Sequence, residues 1–171
     1  MTEPRPDPFL IADHPALDFL NSTCAPQGEV IEWISSDTDL GAWLDAAGLR
    51  QPDAPLPAGA AITARRMRDW FRALIAEWSE TETLNPDHLT PLNLALKSVP
   101  QLTQVTPDGQ LCVTPAGAPS AAWTSPLVRA MAELISQTEP ARVRQCEGPT
   151  CTLWFHDTSP SNRRRWCSMA V

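Results

Sequence analysis

The chain has no tyrosine and only seven glycines in 171 residues. Those glycines are scattered, so they build neither a phosphate-cradling loop nor a dinucleotide fingerprint. No Ser/His/Asp arrangement of a hydrolase is present either. No apolar run approaches the length needed to span a bilayer. Residues 1–8 are polar and proline-rich, where a signal peptide would carry an apolar core. These absences predict a cytoplasmic protein with no membrane partner. The missing signal peptide and an odd count of five cysteines argue against a disulfide framework.

Hydrophobic residues make up 43% of the chain and include seven tryptophans, which predicts a folded core. The eighteen prolines fall between apolar segments and punctuate loops. Charge is unevenly spread. Residues 141–171 hold five arginines, Arg142, Arg144, Arg163, Arg164 and Arg165, against Glu147 and Asp157, a balance of +3. With a net charge of −7 for the whole chain, the other residues carry −10. An acidic body repels a polyanion, whereas a basic tip can meet one.

Periodicity predicts a mainly α fold with small β-hairpins. Residues 14–21 read as a short helix with Ala16, Phe19 and Leu20 on one side, and residues 30–34 as a short strand. Ser36 or Asp37 can cap a helix that stops near Gly48. After a proline-rich linker over 51–57, the strongest pattern covers 58–79. There Met67, Trp70, Phe71, Leu74, Ile75 and Trp78 form one apolar stripe, with Arg65, Arg68 and Arg72 expected on the other side. A further helix is expected over 86–98. Strands over 101–106 and 110–114 flank the turn signal Asp108-Gly109. A loop over 115–120 leads to a helix over 125–137. Cys112 reads as a small core residue, and Cys24, before Ala25-Pro26, as an exposed loop residue.

Three cysteines cluster near the C-terminal end. Four residues separate Cys146 from Cys151, among them Gly148 and Pro149, a composition that makes a tight turn. Fifteen residues then precede Cys167. Such a ligand pair, loop and further ligand suits zinc, which takes soft thiolates tetrahedrally without a directional d-electron demand. The residues leave the fourth position open to His156, to water, or to a group after Val171. About thirty residues bury too little apolar surface to fold alone, so the metal's role is expected to be structural. Trp154, Phe155 and Trp166 are expected to pack this module on the body.

Residues 146–171 resemble the CGNR zinc finger. That family pairs Cys-x4-Cys with a strand, an Asp-Thr-Ser turn, an arginine-rich loop and Trp-Cys-Ser-Met, before a final Cys-Gly-Asn-Arg. The matching residues are Cys146, Cys151, Leu153-Trp154-Phe155, Asp157-Thr158-Ser159, Asn162-Arg163-Arg164-Arg165 and Trp166-Cys167-Ser168-Met169. At the point where the pattern's last cysteine falls due, the sequence ends at Val171. The N-terminal part resembles the ABATE domain that usually accompanies this finger, through Leu17-Asp18-Phe19-Leu20-Asn21-Ser22, Asp39-Leu40-Gly41-Ala42-Trp43-Leu44 and Ala47-Gly48-Leu49. The resemblance implies an ABATE-like, mainly helical domain over 1–140, a zinc-ribbon-like module over 141–171, one structural zinc ion, and a role in stress-induced bacterial transcription regulation.

Three readings of function follow. In the first, the basic tip of Arg163, Arg164 and Arg165, with Arg142 and Arg144 beside it, contacts DNA phosphates, for which a permanent planar cation is suited. A homodimer would double that footprint. In the second, the body binds a small-molecule effector and the zinc module is a purely structural knob. His14, Asp18 and Asn21, at i, i+4 and i+7, supply a polar helix face for such a ligand. In the third, a three-cysteine zinc with Glu147 as base acts as an enzyme. Three thiolates make zinc a poor Lewis acid, and the His-x-Glu and Pro-Cys-x-x-Cys pattern of zinc deaminases is absent, so a non-enzyme is expected.

Overall fold

A computed structural model describes residues 5–168 of the chain. Its described residues form six α-helices and three two-stranded antiparallel ribbons. None of these helices is long and apolar enough to cross a membrane.

The centre of the molecule is a helix of only six residues, α1 (Pro15–Leu20). His14 caps its N-terminus: the Ala16 N–H donates to His14 Nδ1 at 3.2 Å, and Pro15 occupies the first position, where no N–H is needed. Leu17, Phe19 and Leu20 are completely buried. The chain then makes a narrow ribbon of β1 (Thr23–Cys24) and β2 (Ile31–Glu32), pairing Thr23 with Glu32 and Cys24 with Ile31. Ser36 caps α2 (Asp37–Ala46), which sends Leu40, Trp43 and Leu44 into the core. Trp43 meets Phe19 with ring centroids 5.7 Å apart.

Helix α3 (Ala60–Thr81) is the long apolar stripe expected from the sequence. Its N-terminus has no cap of its own, because Gly59 stands there in the left-handed region at φ 81°. Asp37 reaches across from α2 instead and accepts from the N–H groups of Gly59 and Ala61 at 2.8 and 2.7 Å. Those bonds hold the Asp37 carboxyl below the ordinary carboxylate range. Arg68 lies inside the molecule rather than on the solvent side of this helix. It donates to both carboxylate oxygens of Glu32 on β2 at 2.8 and 2.6 Å, and to Ser22 Oγ at 2.9 Å. A forked ion pair compensates the burial that periodicity alone would forbid to an arginine.

Next come α4 (Pro86–Ser98), the hairpin of β3 (Gln101–Val105) and β4 (Leu111–Pro115), a short α5 (Pro119–Ala122) where the sequence reads as a loop, and α6 (Ser125–Gln137). Helix α6 packs on both α1 and α4. The β3–β4 hairpin stands away from the core, leaving Val105 and Leu111 mostly exposed. Cys112 on this hairpin is therefore only half-buried, and Cys24, in β1, is 3% exposed. Both cysteines reverse their sequence-based expectation.

A 3-10 turn (Pro140–Arg142) leads into the last ribbon, β5 (Val143–Gln145) and β6 (Trp154–His156). This ribbon is joined to the body through Asn21, the residue that ends α1. Asn21 Nδ2 donates to the Trp154 carbonyl at 2.8 Å, and the Trp154 N–H donates to Asn21 Oδ1 at 2.9 Å. The side-chain amide thus imitates a neighbouring strand. Further along, the His156 N–H donates to the Ala12 carbonyl at 2.8 Å. Phe155 is fully buried and Trp154 nearly so, as expected, whereas Trp166 is 50% exposed and packs under the Arg165 guanidinium instead of on the body.

Asn21→Ala would leave both backbone groups of Trp154 without a partner in a buried place. We expect a loss of about 2–3 kcal/mol in urea unfolding, with the C-terminal ribbon becoming the first segment to exchange its amide hydrogens. A loss below about 0.5 kcal/mol would mean that Asn21 does not join the two parts.

Candidate metal centre

The β5–β6 ribbon ends in a knuckle. Past Gln145, the Cys146 N–H donates to the Leu153 carbonyl at 2.8 Å, which extends the pairing by one step. The chain turns through Gly148, whose carbonyl accepts from the Cys151 N–H at 3.1 Å. A side chain at position 148 would put its Cβ 3.0 Å from Cys151 Cβ and 3.6 Å from Cys146 Sγ. Glycine leaves the two cysteines room to close around this turn, where any larger residue would have to push Cys151 aside by a few tenths of an ångström.

The third cysteine arrives from the arginine-rich loop. The Glu147 N–H donates to the Arg165 carbonyl at 3.0 Å, and the Cys167 N–H donates to Cys146 Sγ at 3.4 Å. The Sγ atoms of Cys146, Cys151 and Cys167 all lie within 4.8 Å of one another. Cys151 and Cys167 are 3.9 Å apart. Tetrahedral thiolates at the usual zinc–sulfur length stand about 3.8 Å apart. None of the three is in a disulfide. Burial, followed by the two neighbouring sulfurs, pushes the Cys167 thiol up to about 12 when no cation is among them. A divalent cation removes that conflict by making three adjacent thiolates favourable. The donor set and its spacing fit one structural zinc.

His156 is not part of the cluster among the described residues. Its ring faces His14 across the junction with the body, the centroids 6.4 Å apart. The alternative in which His156 completes the coordination is therefore set aside.

The arginines of this region mostly hold it in shape. Arg142 Nη1 donates to the carbonyls of Asp157 and Ser159 at 3.0 and 3.2 Å. Arg144 donates to the carbonyls of Ala141 and Asn162, each at 3.0 Å. Arg164 lies over the Phe155 ring, 4.5 Å from its centroid, donates to the Trp166 carbonyl at 2.9 Å, and forms an ion pair with Asp13 on the body. Arg165 is exposed and pairs with Glu147 at 2.5 Å. The Arg163 side chain is exposed and forms no hydrogen bond with a described residue; its N–H meets Ser159 Oγ at 3.4 Å.

Asp157, which the sequence marks only as part of the family's turn, organises the loop. Fully buried, it accepts from the N–H groups of Ser159 and Arg164, both at 2.9 Å. Burial raises its pKa, but these bonds outweigh that and hold the carboxyl below the usual range. The Asx turn is the available sequence signal: Asp followed two residues later by Ser.

The three residues expected to form a polar ligand face are placed apart in role. His14 caps α1, Asn21 holds Trp154, and Asp18 Oδ1 accepts from the Ala12 N–H at 3.0 Å. Burial lowers the His14 pKa, with His156 adding to the effect. Burial raises that of Asp18 to about 6.

Residues 13–138 match the family ABATE, described as "Putative stress-induced transcription regulator", and residues 142–171 match the CGNR zinc finger. A search of curated proteins gives no match. Met169 of the finger's Trp-Cys-Ser-Met signature lies outside the described residues.

The Asp18 shift predicts a pH signature. Its folded pKa of about 6 exceeds the ordinary 3.8, so folding favours the protonated form. That contribution is complete below about 3.8 and is lost as pH rises through about 6. Asp18→Asn keeps an acceptor for Ala12 and never ionises. The variant is expected to gain stability relative to the parent between about pH 4 and 7 and to hold a constant advantage above it, read from melting temperatures. Parallel curves across that window would contradict the assignment.

Proposed function

The chain belongs to the ABATE family and carries a CGNR zinc finger, and from that premise we propose that it is a zinc-stabilised, non-catalytic regulator acting in the cytoplasm, whose C-terminal module contacts DNA. The observation that carries this reading is the division of labour among the arginines. Arg142, Arg144 and Arg164 direct their guanidinium groups to backbone carbonyls of the module. They fix the loop and add positive potential, while Arg163 and Arg165 remain on the outside. Phosphate contacts made from a rigid, metal-held loop lose little conformational entropy on binding.

So few contacts support a sequence-independent grip that weakens steeply with salt. A homodimer presenting two modules would strengthen it, and an effector acting through the body would regulate it. The competing reading, a structural zinc knob on a small-molecule-binding protein, draws on the same geometry. Arg165 already has Glu147 as an anionic partner, and Arg164 has Asp13.

Replacing Arg163 and Arg165 together by alanine separates the two. These side chains are exposed, so the melting temperature is expected to stay within about 2 °C of the parent. In the DNA reading, the slope of log affinity against log salt on duplex DNA becomes shallower by about 2, roughly one unit for each phosphate no longer neutralised. An unchanged slope would favour the structural knob.

A further inference from the structure

We propose that the cleft between α3 and the zinc module is a binding site for a small organic acid: a monocarboxylate with a compact apolar body. The cleft measures about 420 Å³, within the usual range for small-ligand sites. Three separate parts of the chain form its walls. Arg72 and Ala76 come from α3, Cys24 and Val30 from the β1–β2 ribbon and its connection, and Thr152 and Trp154 from the zinc module.

Arg72 supplies the reason for an anion. It is half-buried and has no ion pair among the described residues. The two carboxylates in its surroundings, Glu32 and Asp69, both contact Arg68 instead, at 2.6 and 3.8 Å. Nη2 of Arg72 holds the carbonyls of Leu20 and Thr23, the latter at 3.2 Å. Nε and Nη1 form no hydrogen bond with a described residue, and neither is sealed from solvent. A fixed, partly desolvated guanidinium with spare donors at the wall of a cleft attracts a carboxylate more strongly than the same group in open water.

The rest of the lining selects the ligand's body. Ala25, Val30, Ala76 and Trp154 give the cleft a mainly apolar surface. Thr152 Oγ1 accepts from the Ala25 N–H at 2.8 Å, which leaves its hydroxyl hydrogen to donate to a ligand oxygen. A bare inorganic anion would satisfy Arg72 and leave the apolar walls wet. A neutral apolar compound would do the reverse. Only an amphipathic acid meets both demands.

The position gives this site its regulatory meaning, which rests on the regulator reading above. A ligand here touches the body and the zinc module at once, so its binding would favour one arrangement of the two.

The test uses the full, zinc-loaded chain and calorimetric titration with phenylacetate, phenylacetamide and inorganic phosphate. Phenylacetate is expected to bind saturably, and each of the other two at least about tenfold more weakly. Arg72→Gln should weaken phenylacetate by about tenfold or more. Because that change also removes bonds to Leu20 and Thr23, Val30→Glu serves as the second variant. Val30 is 77% exposed, so the substitution should leave the melting temperature unchanged while its carboxylate at the mouth repels the ligand to a similar degree. Absence of saturable phenylacetate binding, equal binding of phenylacetamide or phosphate, or undiminished affinity in a folded Val30→Glu variant would each overturn the proposal. The salt slope on DNA, measured without phenylacetate, tests the regulator reading separately.

Discussion

Three sulfur atoms gathered within 4.8 Å set a condition that the C-terminal module obeys. Two of them, Cys146 and Cys167, are buried and Cys151 is half-buried; deprotonated side by side, the three thiolates repel. A cation resolves the conflict, and once it does, the knuckle at Gly148, the β5–β6 ribbon and the arginine-rich loop meet at one point. The loop has almost no apolar content of its own. Its shape comes from a buried carboxylate, Asp157, that gathers the N–H groups of Ser159 and Arg164, and from guanidinium groups that gather carbonyls. Metal, carboxylate and arginines replace the core that so short a segment lacks.

The module is not a free appendage in this arrangement. Asn21 pairs with the backbone of Trp154, Ala12 with that of His156, and Arg164 reaches Asp13. The short helix α1 therefore belongs to both parts: its apolar face fills the centre of the body, and its two ends engage the zinc-bearing ribbon. Leu17 to Ser22 are also the residues that carry the family resemblance at this end of the chain. Their physical role here is to join the body to the module as well as to fill the core.

Much of this is legible in the sequence where a feature is repetitive or chemically singular. The stripe from Met67 to Trp78 marks α3, Asp108-Gly109 marks the hairpin turn, and the spacing of Cys146, Cys151 and Cys167 marks the metal centre. The departures have a common cause. Periodicity puts Arg68 on the solvent side because it does not see Glu32, thirty-six positions away, whose carboxylate compensates the burial. Trp166 reads as an inside residue because its ring is apolar, although here Arg165 covers one face of it in the open. Cys24 reads as an outside residue because a two-residue strand leaves no pattern. Asn21 and Arg144 act on backbone atoms, and a backbone carbonyl has no letter in the sequence.

A basic loop with the spacing of a zinc site sits on an acidic body, and the proposed regulator uses these parts as a contact surface, an ion that gives it shape, and a cleft from which its attachment is altered. Everything in that picture depends on the ion. Native mass spectrometry of the chain purified without chelator, beside its Cys151→Ser variant, tests this most directly. The account predicts one zinc per parent chain. In the variant the zinc is gone and the C-terminal ribbon becomes sensitive to protease, while the helical body stays intact. A metal-free parent whose ribbon still resists protease would contradict it.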